Sequence, residues 1–383
     1  MIKNEIRPLT GIRGLAALWV VCFHFESDIL RLVPGLSVFH PFLFRGGLGV
    51  DIFFVLSGFV IATVYKIDAF KTTLASYGNF LVNRIARIYP DYLFCFLVLA
   101  AMVFADHVLG KHTAMVGKHL TDPAEYPVSS VGFHLVMMQA WPFVPAHWDN
   151  WNAPAWSVSA EWFAYLFLFP FSVWLASIAL VRKFSPALVF VLMASFVAIN
   201  GLGTTLHGFY FVSQITAEFI SGSLVYLFCR ENPGVIKMLA SRMDLVILAF
   251  LALVWFSLVS MVSYWLIILM APIIIAGLTQ ESSIFAKILA TPFVCYLGRV
   301  SYALYLIHAI AQRMLHILLP VDRYAADSLY VRFAVLLAYF VFPLLLAMGI
   351  YHVIEEPSRL VIRQWCKPKL RAPVEAIPAP DNP

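Results

Sequence analysis

RPLTGIRGLAALWVVCFHF, residues 7–25, opens on Arg7 and continues as an apolar stretch interrupted by two ionisable side chains, Arg13 and His24. At about 100° per helical residue, eleven steps return to within about 20° of the start, so the two side chains share a helix face. The rise of about 1.5 Å per residue sets the imidazole roughly 16 Å deeper than the guanidinium. The surrounding run, 11–30, is long enough to cross a bilayer, and no cleavable signal peptide precedes it. An ionisable group held within hydrocarbon is costly to keep, which marks His24 as a functional-site candidate.

The rest of the chain extends this pattern. Of 383 residues, 62% are hydrophobic and 12% charged, with a mean hydropathy of +0.85. Soluble domains carry about 25% charged residues. The expected fold class is therefore all-α, a polytopic membrane protein of about ten transmembrane helices. Apolar runs recur near 11–30, 47–66, 88–109, 154–180, 186–204, 208–229, 244–262, 264–280, 294–318 and 329–354. The run 131–141 is too short to span and suits an interfacial or re-entrant position. With the N-terminus inside, eighteen Lys and Arg residues fall on the inner side and six on the outer, while Arg299 and Arg313 lie within a span. That bias predicts both termini cytoplasmic. The longest outer connection is 110–153, aromatic and proline-containing. Residues 1–360 form one membrane unit, and the Pro-rich tail 361–383 is expected to be disordered.

The net charge of +5 reflects topology and anionic lipid headgroups rather than a nucleic-acid partner. Five cysteines without a CxxC pair read as free thiols, and the scattered histidines lack metal-ligand spacing, so no metal is expected. No Walker or dinucleotide fingerprint is present.

Ionisable residues inside the predicted spans are His24, Asp51, Glu161, Glu218, Arg299, His308 and Arg313. Counted along their helices, His24, Asp51, Glu161 and His308 fall within roughly 10 Å of one depth, in the outer half of the bilayer. Polar stripes extend three of these positions: Ser157, Glu161 and Tyr165; Ser301, Tyr305, His308 and Gln312; and Gln214, Glu218 and Ser221. On the inner side, Arg84 and Arg87 in RIARIYP share one face just before the third span, with Pro90 near its start. They serve either as lipid anchors or as a phosphate-binding pair, since the planar guanidinium suits phosphate oxygens. Glycines at 46–49 and 58 allow close approach of a neighbouring helix or a ligand.

These pieces resemble a known family. RPLTGIRGLAALWVVCFHF (7–25), GGLGVDIFFVLSGFVIATVY (46–65), RIARIYP (84–90), WSVSAEWFAYLFLFP (156–170) and LGRVSYALYLIH (297–308) are similar, in order, to the acyltransferase-3 family of integral membrane O-acyltransferases. The resemblance implies transfer of an acyl group, commonly acetyl, from cytoplasmic acyl-CoA to a hydroxyl of an extracytoplasmic sugar or polysaccharide. It further implies location in the bacterial inner membrane and no permanently bound cofactor. The short tail implies a stand-alone member without the SGNH-hydrolase-like domain that many relatives carry.

Residue types and resemblance suggest one chemistry. His24 is the expected base or acyl carrier, with Asp51 or Glu161 fixing its tautomer. Arg13, Arg84 and Arg87 are placed to hold the phosphates of coenzyme A, and Ser301, Tyr305 and His308 line the site. A secondary transporter or flippase for a glycan or acyl-bearing substrate is the alternative that the same polar path allows.

Overall fold

A computed structural model describes residues 5–109, 114–115, 118–119, 125–144, 149–201, 207–257 and 261–365. Among the described residues the regular structure is helical, apart from a short hairpin pairing Ala114–Met115 with Lys118–His119. Each of the ten predicted spans coincides with helix. Among the described residues, six helices have the length and apolarity to cross a membrane, or eight when the bent pairs Arg7–His24 with Glu26–Leu32 and Pro233–Ser241 with Met243–Phe256 each count as one span. The remaining two, Ser185–Ile199 and Ile267–Gly277, are shorter apolar helices within their described residues.

Three expectations need correction. The first span is not one straight helix. It breaks at Phe25 by 66°, so His24 is the last residue of its helix rather than a mid-helix residue. The third begins at Leu74, not near 88, and runs for 36 residues to Leu109. Arg84, Arg87 and Pro90 therefore lie inside a continuous helix and not at its start. At the C-terminal end, Glu356–Trp365 is helical, past the boundary drawn at 360, and 366–383 lie outside the described residues.

Two seams organise the bundle. Arg7–His24 packs along Pro292–Leu318, and Leu48–Tyr65 packs along His207–Glu231. Arg13 meets Gly298 while His24 meets His308, so the first pair runs parallel, as two spans of the same sense must. Glycine permits the close approach at each seam. A Cβ on Gly298 would strike the Thr10 carbonyl, one on Gly58 the Phe219 carbonyl, and one on Gly222 the Val55 carbonyl. Helices that cannot rely on a hydrophobic driving force against lipid gain association energy from such contacts.

Local features place individual side chains. The helix Trp156–Phe163 widens into a π turn over Ala164–Leu168, just ahead of Pro170. Pro170 has no N–H for the Leu166 carbonyl four residues back. The Tyr77 hydroxyl donates to that carbonyl instead, at 2.8 Å. A second π turn, Tyr351–Glu355, brings Glu355 inward. Single π turns are often found at functional sites.

Gly58→Val is expected to lower the melting temperature in detergent, corresponding to about 1–3 kcal/mol of overpacking, because the obstacle is a backbone oxygen. Gly78→Ala, where nothing lies within 4 Å, is the control and leaves it unchanged or raised. Equal melting temperatures for both variants would show that the Gly58 seam is loose.

Candidate active site

Five helices enclose a cavity of about 140 Å³. Arg7–His24 contributes Arg13, and Leu48–Tyr65 contributes Val50, Phe53, Phe54, Ser57 and Ile61. Arg84, Arg87 and Ile88 come from Leu74–Leu109, Ser157 and Glu161 from Trp156–Phe163, and Tyr165 from the π turn. Pro292–Leu318 adds Ser301, Tyr302 and Tyr305. Six of the nine residues singled out from the sequence line it: Arg13, Arg84, Arg87, Glu161, Ser301 and Tyr305.

The three arginines are held in different ways. Arg13 gives both Nε and Nη2 to the Gly298 carbonyl, at 2.9 and 2.6 Å. Arg84 sits among the rings of Tyr65, Phe80 and Tyr165, 5.4–6.0 Å from their centroids, and reaches the Tyr65 hydroxyl at 3.4 Å. Arg87 forms an ion pair with buried Glu355 and lies 5.2 Å over the Tyr302 ring. Glu161 is the carboxylate among them. Its Oε1 accepts from Ser57 Oγ at 2.8 Å and from the Tyr165 hydroxyl at 2.5 Å. The cavity wall thus carries three cationic groups against one anionic group, with the charge of Arg87 already met by Glu355.

Beyond Tyr305 stands a histidine pair. His308 Nδ1 lies 2.7 Å from the Tyr305 carbonyl, and its Nε2 lies 3.2 Å from His24 Nδ1. His24 Nδ1 is also 2.9 Å from the Val20 carbonyl. Carbonyls only accept, so each Nδ1 carries the hydrogen of its neutral ring. His308 Nε2 is then the acceptor for the His24 Nδ1–H, which it shares with Val20. This arrangement leaves the lone pair of His24 on Nε2. Gln312 Nε2 secures the break below His24 by donating to its carbonyl at 3.0 Å and to Asp28 at 2.7 Å.

The expected common site of four ionisable groups is therefore divided. His24 joins His308 but is not among the residues lining the cavity, and Glu161 stays with the arginines. Asp51 reaches neither: its Oδ1 accepts from Gln214 Nε2 at 3.0 Å. Helical phase explains this. Residues 50, 53, 54, 56, 57, 60 and 61 line the cavity, whereas 51, 55 and 58 lie on the side packed against His207–Glu231. Asp51 is thus not the partner of His24; His308 takes that place. Of the stripe Gln214, Glu218 and Ser221, the first two lie beside Asp51, and none of the three lines the cavity.

Sequence reading also missed Tyr65, Ser57 and Glu355. Glu355 was discoverable in principle, as an acidic residue directly after the last apolar run, but charge at the end of a span reads as headgroup contact. The outer connection 110–153 is described in part. Its segment around Trp151 and Asn152 packs on Pro292–Leu318, where Asn152 donates to the Leu306 carbonyl at 2.9 Å and Arg313 to the Trp151 carbonyl at 3.1 Å.

The chain matches the acyltransferase domain family over residues 7–352. It is 31% identical over 172 residues to the acyltransferase MdmB of Streptomyces mycarofaciens, covering 43% of this chain and 38% of that protein. It is 40% identical over 118 residues to protein 2 in the picA locus of Rhizobium radiobacter, covering 30% of this chain and 56% of that protein. A Staphylococcus aureus (strain COL) protein whose name proposes O-acetyltransferase activity is 22% identical over 328 residues, covering 79% of this chain and 50% of its own length. The chain spans about half of the length of these relatives, or less. No solved structure matches it. The family match runs from the first helix through the histidine pair to the second π turn, and on that basis the chain belongs to the acyltransferase-3 family.

Proposed function

We propose that this protein is a membrane acyltransferase that moves an acyl group, in the simplest case acetyl, from acyl-CoA to a hydroxyl of a sugar or polysaccharide. The observation that carries this reading is the cavity with three arginines on its wall and, one helical turn past Tyr305, a histidine pair whose hydrogen bonds leave a lone pair on His24 Nε2. Arginines suit the phosphates and the imidazole suits the proton transfer. The helical distance of roughly 16 Å from Arg13 to His24 is comparable with an extended pantetheine arm.

In this reading the nucleotide end of the donor lies by Arg13, Arg84 and Arg87 at the cytoplasmic side, and the pantetheine arm threads the cavity. His24 Nε2 takes the proton of the acceptor hydroxyl as its oxygen attacks the thioester carbonyl. The C–S bond breaks, and the proton passes from His24 to the departing coenzyme A thiolate, so no net proton is gained or lost. His308 holds the ring in the tautomer that keeps Nε2 basic. The acceptor arrives from the extracytoplasmic side. This layout spares the charged nucleotide a passage through hydrocarbon, which costs several kcal/mol per charge.

The deciding experiment measures acyl-CoA consumption by the purified protein. His24→Ala is expected to lower turnover by about 10²–10⁴-fold while the protein remains folded. His308→Gln should lower kcat and displace the pH–rate profile with KM for acyl-CoA little changed. Wild-type turnover in His24→Ala would remove the base assignment. Transport of a glycan without acyl-CoA consumption would favour the transporter alternative.

Arg84→Ala is expected to weaken acyl-CoA binding by about 1.5–3 kcal/mol, roughly 10- to 150-fold in Kd, measured by calorimetry. Unchanged affinity would return Arg84 to a lipid-anchoring role.

Arg87→Ala should act differently, because it strands the buried Glu355 carboxylate. The expected cost is about 3–5 kcal/mol of stability. Most of the lost melting temperature should return in the double variant Arg87→Ala/Glu355→Gln; no recovery would mean that the ion pair is not what Arg87 stabilises.

A further inference from the structure

A second buried polar cluster lies outside the proposed reaction. Asp51 on Leu48–Tyr65 is 3% exposed and Glu218 on His207–Glu231 is 0% exposed, and the two carboxyl groups meet within hydrogen-bonding reach. Gln214 Nε2 donates to Asp51 Oδ1. Beyond that bond the cluster is short of hydrogens. Both Glu218 oxygens and Gln214 Oε1 are buried without a hydrogen-bond partner among the described residues. Gln214 is itself 5% exposed, so its oxygen is an acceptor drawn into the cluster with nothing donating to it.

Among the described residues no cation answers this charge. Ser185–Gly201 packs on His207–Glu231, and Met261–Gly277 packs on both helices of the pair; neither carries Asp, Glu, Lys, Arg or His. Arg7–His24 touches Leu48–Tyr65, but Arg13 is bound to the Gly298 carbonyl and His24 to His308, while Arg7 stands at the far start of that helix. Glu161 on Trp156–Phe163 is taken by Ser57 and Tyr165. Arg182 on Ala179–Lys183 pairs with Glu231, beside Lys183 and Arg230 at the C-terminal end of the helix, about three turns past Glu218, and Lys237 lies beyond them on Pro233–Ser241. Tyr210, one turn before Gln214, lies in the neighbourhood of both carboxyl groups. Two touching carboxylates with no counter-charge cannot both ionise in such surroundings.

We propose that Asp51 and Glu218 form a proton-binding site, holding one proton between them at neutral pH and closing an acid–carboxylate hydrogen bond that ties Leu48–Tyr65 to His207–Glu231. The proton supplies the missing hydrogen and leaves one negative charge, which the Gln214 amide supports. The opposite face of Leu48–Tyr65 lines the active-site cavity, so the proton holds one cavity wall in place. Its loss at alkaline pH sets two like charges against each other across the seam. Stability contributed by the link is present while the proton is bound and disappears as pH rises.

The test uses the full chain purified in detergent. Infrared spectra at neutral pH should show a protonated-carboxyl C=O band that shifts in D2O and is lost in both Glu218→Gln and Asp51→Asn. The wild-type melting temperature should fall toward alkaline pH. Either amide variant should flatten that fall, because its N–H₂ supplies a permanent donor; the two substitutions are alternatives if one fails to fold. Exchanging sodium chloride for choline chloride at constant ionic strength should change neither readout. A band that persists in both variants, or an alkaline fall as steep in them as in wild type, would overturn the proposal. Stabilisation of wild type, but not of the variants, by sodium would make this a sodium site instead of a proton site.

Discussion

The seam between Arg7–His24 and Pro292–Leu318 is the constraint from which the site follows. Gly14 and Gly298 let the two backbones approach so closely that a Cβ on either would strike the other chain segment. At that level the Arg13 guanidinium can reach the Gly298 carbonyl with two of its nitrogens. Ten to eleven residues further along both helices, the same register brings His24 to His308. Parallel helices advance together at about 1.5 Å per residue, so fixing one end fixes the other. In the proposed function, the arginine assigned to the donor and the histidine assigned the proton are thus two ends of one ruler.

Burying three guanidiniums in one cavity requires compensation, and the structure supplies it without neutralising the site. A carbonyl holds Arg13, aromatic faces surround Arg84, and a carboxylate pairs with Arg87. Carbonyl and aromatic partners orient a cation while leaving its full charge for an anionic ligand. Only Arg87 has its charge cancelled. In the proposed function this makes Arg13 and Arg84 the groups most open to phosphate, and Arg87 first a structural link to the second π turn.

Much of this was legible in the sequence because bilayer physics writes large signals. Ten apolar runs stood out, and each coincides with helix. Arg13, Arg84, Arg87, Glu161, Ser301 and Tyr305 were recognisable as polar groups on helix faces and do share a cavity. What failed was the grouping. Depth along a helix follows from counting residues, but rotation about its axis depends on which neighbour it packs against. Asp51 and Val50 differ by one residue and about 100°, and that difference sends one to Gln214 and the other to the cavity. The break at Phe25 was equally hidden, since FHFESDIL reads as continuous apolar-then-polar helix. The continuity of Leu74–Leu109 through Pro90 ran against the ordinary expectation that proline marks a helix start.

The central claim is that donor and acceptor meet across one membrane, with the arginines on the donor side and the histidine pair between. It is tested most directly in sealed vesicles carrying the protein in a single orientation, with acyl-CoA confined to the side of the arginines and the sugar acceptor to the other. The account predicts acylated sugar in that arrangement, none when the two sides are exchanged, and none with His24→Ala. Product formed only when both substrates share the arginine side would contradict a transmembrane transfer.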